Sequence, residues 1–173
     1  MQTIYLLRHF KVKDTQLSNL NSDEFTSWVD NYDFYELEYK NIELPKIDKT
    51  YVSSQNRAIK TANYLKLDYE KSNLLVEVEA FPFVNTKLRV PKLFWLILSR
   101  ILWFFNLTQF EIKKQTVKRI EKFLSKIEKE EKTILIISHG LFLKILINQL
   151  KKRDFKSNND VSLKNGKLYK LWK

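Results

Sequence analysis

The stretch TILIISHGLFLKILINQL, residues 133–150, runs from one pattern of burial into another with no connecting loop. TILII is a continuous β-rich apolar run, which is the pattern of a strand covered on both faces. GLFLKILINQL follows at once and reads as a strongly buried helix. Residues 3–7 (TIYLL) are a run of the same kind at the start of the chain. They carry Arg8 and His9 to a strand end, much as residues 133–137 carry Ser138 and His139.

Working outward, residues 50–53 (TYVS) predict a second short strand, and Ala58, Ile59, Ala62 and Leu65 share one face of a helix over 56–67. LLVEV over 74–78 predicts a third strand. The spacing of Phe25, Trp28, Val29 and Tyr32 predicts a helix over 22–32 with Ser22 or Asp23 as N-cap. Pro82 and Pro91 bracket a loop. Residues 92–105 then form a helix apolar on nearly all sides, expected to pack as core rather than on a membrane surface. Thr108-Gln109-Phe110-Glu111 is a capping box that restarts the chain as a helix to about Glu131, with Phe110, Val117, Ile120, Leu124 and Ile127 inward. The tail predicts a hairpin of 161–163 with 167–172 around Asn165-Gly166. Strands alternating with helices predict one α/β domain over residues 1–173. Its layers are α/β/α, with a mostly parallel central sheet and an antiparallel edge, and ligands sit beyond the carboxyl ends of such strands.

The composition removes several classes of function. A chain of 173 residues, 44% of them hydrophobic, is too apolar to be disordered and large enough for one core. With no cysteine there is no disulfide scaffold, thiolate metal site or cysteine nucleophile. The first residues reach Arg8 too soon for a signal peptide, so the cytoplasm is expected. The most apolar window, residues 93–107, is broken by Ser99 and Arg100 and falls short of the ~20 residues of a spanning helix, so no membrane insertion is expected. The net charge of +11 would attract anions, yet 25 of the 31 cations are lysines scattered through every segment alongside thirteen asparagines. That distribution is a compositional bias, and no nucleic-acid partner is expected.

The chain has only two histidines, and each follows a buried strand, so both project at the same sheet edge. A lone histidine there would be an ordinary structural residue, whereas a matched pair points to a site. Neutral imidazole is a nucleophile toward phosphorus, and phosphoryl transfer needs fixed cations around the phosphate oxygens. Arginine serves best because its planar fork binds oxygen bidentately. Of six arginines, Arg8 adjoins the first histidine and Arg57 opens the helix after the second strand.

Leu6-Leu7-Arg8-His9, Ser53-x-x-x-Arg57-Ala58-x-x-Thr61-Ala62 and Ile137-Ser138-His139-Gly140 together resemble the histidine phosphatase superfamily, which includes phosphoglycerate mutase-like proteins. Residues 78–83, Val90-Pro91 and the Trp/Leu-rich helix are similar to a small bacterial branch of it. The resemblance implies a phosphoglycerate mutase-like fold and a metal-independent phosphatase without cofactor, acting on a small phosphomonoester or a phosphoprotein. It implies that His9 becomes a phosphohistidine, that Arg8, Arg57 and His139 hold the phosphate, and that Glu79 is the general acid, in need of burial to raise its pKa. The sequence departs from the pattern at Phe10, where the family commonly has glycine and where the ring would narrow the pocket. Glu77 would share the strand face of Glu79 and competes for the acid's role. Glu79 is preferred because it stands nearer the strand end and matches the family segment. A catalytically silent module that recognises a phosphorylated partner, with Phe10 blocking turnover, is the alternative.

Overall fold

The computed structural model describes residues 2–16, 18–107, 111–128, 132–157 and 162–173. The first half contains β1 (Thr3–Arg8), β2 (Lys11–Val12), β3 (Asn19–Leu20), α1 (Ser22–Tyr32), β4 (Leu37–Glu38), β5 (Lys49–Ser53), α2 (Asn56–Tyr64) and β6 (Glu70–Ser72). A 3-10 turn over Asn73–Leu75 follows. Then come β7 (Val90–Pro91), α3 (Lys92–Phe104), α4 (Lys113–Ile127), β8 (Thr133–Ser138), α5 (Gly140–Lys151), β9 (Lys156–Ser157) and β10 (Leu168–Trp172).

The central sheet has the order β6-β5-β8-β1-β10-β9, parallel from β6 to β1 and antiparallel at β10 and β9. Its two faces follow the strand alternation. Ile4, Leu6, Ile134 and Ile136 face α4 and α5, packing with Ile120, Phe123, Phe142 and Leu146. Leu7, Val52, Leu135 and Ile137 face α2 through Ala58 and Ala62. This is the predicted three-layer α/β/α arrangement with a mostly parallel sheet. Its register decides where the site lies, because Arg8 stands opposite Ser138. His9 and His139 therefore leave neighbouring strands one residue later, at the same edge.

Four local expectations are corrected. Residues 74–78 are not a strand: the ladder partner of β5 is Glu70–Ser72, and a 3-10 turn then takes the chain away from the sheet edge. The predicted hairpin of 161–163 with 167–172 is not formed by the described residues of the tail, since Ser162 and Leu163 are in no strand. β10 pairs with β1 and β9, and the Asn165-Gly166 turn is put to another use. α1 is capped by Asn21, whose side chain accepts from Glu24 N while Glu24 accepts from Asn21 N, rather than by Ser22 or Asp23. Thr108, Gln109 and Phe110 of the capping box, residues 129–131 and, in the tail, Val161 lie outside the described residues, and at the start of α4 Gln115 accepts from Ile112 N.

The fourth correction concerns α3, which is apolar all round but buried along one stripe only, at Trp95, Ser99 and Trp103. Leu93, Phe94, Ile97, Ile101 and Phe104 are exposed. The two polar residues that break its sequence tie down the strap after the 3-10 turn. Ser99 Oγ accepts from Phe81 N, and Arg100 donates to the carbonyl oxygens of Val78 and Glu79. No helix among the described residues is long and apolar enough to cross a membrane.

Candidate active site

The carboxyl end of β1, the N-termini of α2 and α5, one side of α1 and the 77–80 strap line a cavity of about 890 Å³. Arg8, His9, Arg57, Glu77 and Glu79 all line it. Of the predicted site residues, His139 alone does not. It is fully buried behind Arg57, with its ring centroid 5.1 Å from that of His9.

The hydrogen bonds assign the tautomer of each imidazole. His9 Nδ1 lies 2.6 Å from the carbonyl oxygen of Phe10, which can only accept, so Nδ1 carries the proton and Nε2 keeps its lone pair. Arg57 Nε donates to His139 Nδ1 at 3.1 Å, so the proton of His139 is on Nε2 and goes to Ser53 Oγ at 2.8 Å. Burial is the main force keeping both rings neutral, and the Arg57 cation adds to it. The pKa of His9 is pushed down to about 3, and that of His139 falls well below the ordinary histidine value.

This neutrality sets the pH dependence of folding. The unfolded chain binds protons on these imidazoles below about pH 6.5 while the native chain does not, so stability is present above that value and is lost as the pH falls toward 3. At pH 5 His9 alone is expected to remove about 2 kcal/mol of stability. Urea unfolding at pH 7 and pH 5 measures the loss, and His9→Ala should shrink it by about that amount. An equal loss in both chains would contradict the assignment.

The cations are held in two different ways. Arg57 is fixed on three sides: Nη1 pairs with Asp33 Oδ1 at 2.8 Å, Nη2 donates to Gln55 Oε1, and Nε is held by His139. Asp33 also accepts from the backbone N–H groups of Asn56 and Arg57, so a residue just past α1 caps α2 and orients its arginine together. Arg8 donates from Nη1 to the carbonyl of Leu163, while its Nε is buried with no partner. Such a buried donor is costly to leave unmatched and is suited to an anion. Gly140 makes room for this guanidinium, since a Cβ there would lie 3.1 Å from Arg8 Cζ.

The Asn165-Gly166 turn braces the same strand end. Asn165 Nδ2 donates to His9 O, and Gly166 N donates to Arg8 O. Gly166 has φ +60°, and a Cβ there would come within 2.8 Å of Phe10 Cδ1 and 2.5 Å of Lys40 Cε. The Phe10 ring does not narrow the cavity. It is fully buried on the far side of the strand, edge-on to Tyr39 and Tyr64, while its N–H donates to Thr61 Oγ1.

The two carboxylates also separate. Neither stands on a strand, so the expected shared face does not exist. Glu77 Oε1 accepts from the N–H groups of Val78 and Phe142, and Oε2 accepts from Leu141 N, which makes it the cap of α5. Glu79 is exposed at the cavity wall, without the burial expected of a general acid. Asp33, Gln55, Glu77 as a cap, Arg100 and Asn165 were not singled out for these roles by the sequence. The Asn-Gly pair was the one signal near any of them, and it marked a turn. Among the described residues no group of three or more His, Cys, Asp or Glu side chains could hold a metal ion.

A family model described as "Histidine phosphatase superfamily (branch 1)" matches residues 38–172, a span that includes Arg57 and His139 but not His9. No curated protein matches the chain significantly. Several solved structures share its fold. The product of open reading frame Rv3214 from Mycobacterium tuberculosis is 17% identical with a TM-score of 0.56, over 86% of this chain and 79% of that one. A variant of phosphoserine phosphatase from Entamoeba histolytica, in complex with phosphoserine, is 16% identical with a TM-score of 0.54, over 98% and 90%. The ecdysone phosphate phosphatase from Bombix mori, in complex with tungstate, is 12% identical with a TM-score of 0.50, over 98% and 88%.

Proposed function

The chain belongs to the histidine phosphatase superfamily, and from that premise we propose that it is a metal-independent phosphatase acting on a small phosphomonoester or a phosphorylated protein side chain. One observation carries the reading: the His9 ring lines a cavity shared with Arg8 and Arg57, with Nδ1 tied to the carbonyl oxygen of Phe10 so that Nε2 keeps its lone pair.

In the first step His9 Nε2 attacks phosphorus, an N–P bond forms and the ester P–O bond breaks. Glu79 gives its proton to the leaving oxygen. In the second step Glu79 takes a proton from water, the water oxygen bonds to phosphorus, the N–P bond breaks and phosphate leaves. Arg8 and Arg57 match the charge on the phosphate oxygens in both steps. Glu79 is favoured over Glu77 because the Glu77 carboxylate is occupied by three backbone donors. His139 accepts from Arg57 Nε on Nδ1 and donates from Nε2 to Ser53 Oγ, so it acts as a positioning residue with no N–H left over for phosphate. A silent binding module in which Phe10 blocks turnover is disfavoured, because the Phe10 ring packs edge-on to Tyr39 and Tyr64 and does not line the cavity.

An aryl phosphate assayed in excess chelator tests the reading. Turnover is expected, and an alkaline quench should trap phosphate on His9 as an acid-labile phosphohistidine. Bound phosphate with no turnover across a panel of phosphomonoesters would replace the enzyme with the binding module.

A further inference from the structure

Beside the catalytic cavity, α3 carries a groove of about 390 Å³ lined by Leu96, Ile97, Arg100, Ile101, Phe104 and Phe105. Five of these six side chains are apolar, and Ile97, Ile101, Phe104 and Phe105 are each about half exposed or more. Contiguous apolar surface of this kind is seldom left open on a soluble protein without a use. The groove is also not isolated, since Leu96 and Arg100 line the catalytic cavity as well.

We propose that the site takes an amphiphilic phosphomonoester, its phosphate between Arg8 and Arg57 and its hydrocarbon chain along the α3 groove. This deepens the phosphatase reading and rests on it. Continuity of groove and cavity is the first support: a chain leaving the phosphate past Leu96 enters an apolar channel with no polar barrier except Arg100. That arginine is held back by its bonds to the carbonyls of Val78 and Glu79.

Charge complementarity is the second support. The cationic groups Arg8 and Arg57 lie at the cavity end and suit a single anionic head, while the groove lining offers a tail nothing polar but Arg100. Length is the third. Residues 96–105 span ~14 Å of helix axis, enough for a medium-length alkyl chain. Lys113 Nζ sits 3.9 Å over the Phe104 ring and places a charge at the far end. The proposed occupant is one dispersed amphiphile, its head in the cavity and its chain in the groove.

Butyl and decyl phosphate, both below their micellar concentrations, test this by turnover. The matching phosphonates, which cannot be hydrolysed, test it by calorimetric binding to the same protein. Each buried methylene contributes up to about fourfold in affinity. Decyl should therefore exceed butyl at least about tenfold in kcat/KM and in binding, since the groove covers only part of the chain. In Ile101→Gln/Phe105→Gln, where both altered residues are exposed, that ratio should fall to within about threefold.

Equal binding of the two phosphonates by the wild-type chain overturns the groove assignment whatever the turnover. A decyl preference that survives the double substitution also overturns it. Sedimentation of the wild-type chain with phosphatidylcholine vesicles, lost in the double variant, would make the face a membrane-docking surface and overturn it too. Tighter binding of decylphosphonate without turnover of any phosphate ester would sustain the groove and reject the phosphatase.

Discussion

Replacing His9 with alanine is expected to lower kcat/KM for an aryl phosphate by at least about a thousandfold, because it removes the nucleophile of the proposed mechanism. The other imidazole cannot take over. His139 is fully buried, and its two nitrogens are occupied by Arg57 and Ser53. Phosphate or vanadate should still bind, since Arg8 and Arg57 remain, and that retention separates lost chemistry from lost folding. Steady-state kinetics with a vanadate titration measures both. A variant keeping a tenth of wild-type turnover would show that His9 is not the nucleophile. Because burial and Arg57 hold His9 neutral far below its usual range, its protonation should impose no acid limb near pH 6.5 on the wild-type profile.

Loss of Arg57 should damage both stability and turnover. Its guanidinium joins Asp33, Gln55 and His139, and its Cζ lies 5.6 Å from the centre of the Tyr32 ring. Arg57→Ala leaves a half-buried Asp33 carboxylate without its cation and a buried imidazole nitrogen without a donor. The expected cost is about 3 kcal/mol in urea unfolding. Removing a cation that the proposed mechanism sets against the phosphate should also lower kcat/KM by about a hundredfold or more. Arg57→Lys should recover little, because one ammonium cannot serve Asp33 and His139 in the geometry of the planar fork. A lysine variant close to wild type in both measurements would show that Arg57 supplies only diffuse positive charge.

Legibility in the sequence varied with the kind of information each residue carries. TIYLL and TILII were readable as buried strands because a run covered on both faces leaves no polar alternation. Where side chains are apolar on every side, periodicity is silent. Thus α3 was legible as a helix, but not which stripe would face inward. LLVEV has the composition of a strand, yet Leu75 is needed in the core and Glu77 at the N-terminus of α5, so a turn and a strap replaced it. Asp33 was invisible for a different reason. It is one acid among twenty, and only packing sets it beside the start of α2.

By itself the chain determined an alternation of buried strands and helices with an imidazole just past two of the strands, since local burial patterns are written in consecutive residues. The register of β1 against β8 then brought those imidazoles together, and the tertiary structure decided which of them faces the cavity. It also decided which carboxylate is spent on a helix end, which arginine donor is left unmatched and where Phe10 points. Those outcomes depend on hydrogen bonds and excluded water between segments far apart along the chain. A buried polar group takes its role from whichever partner reaches it there.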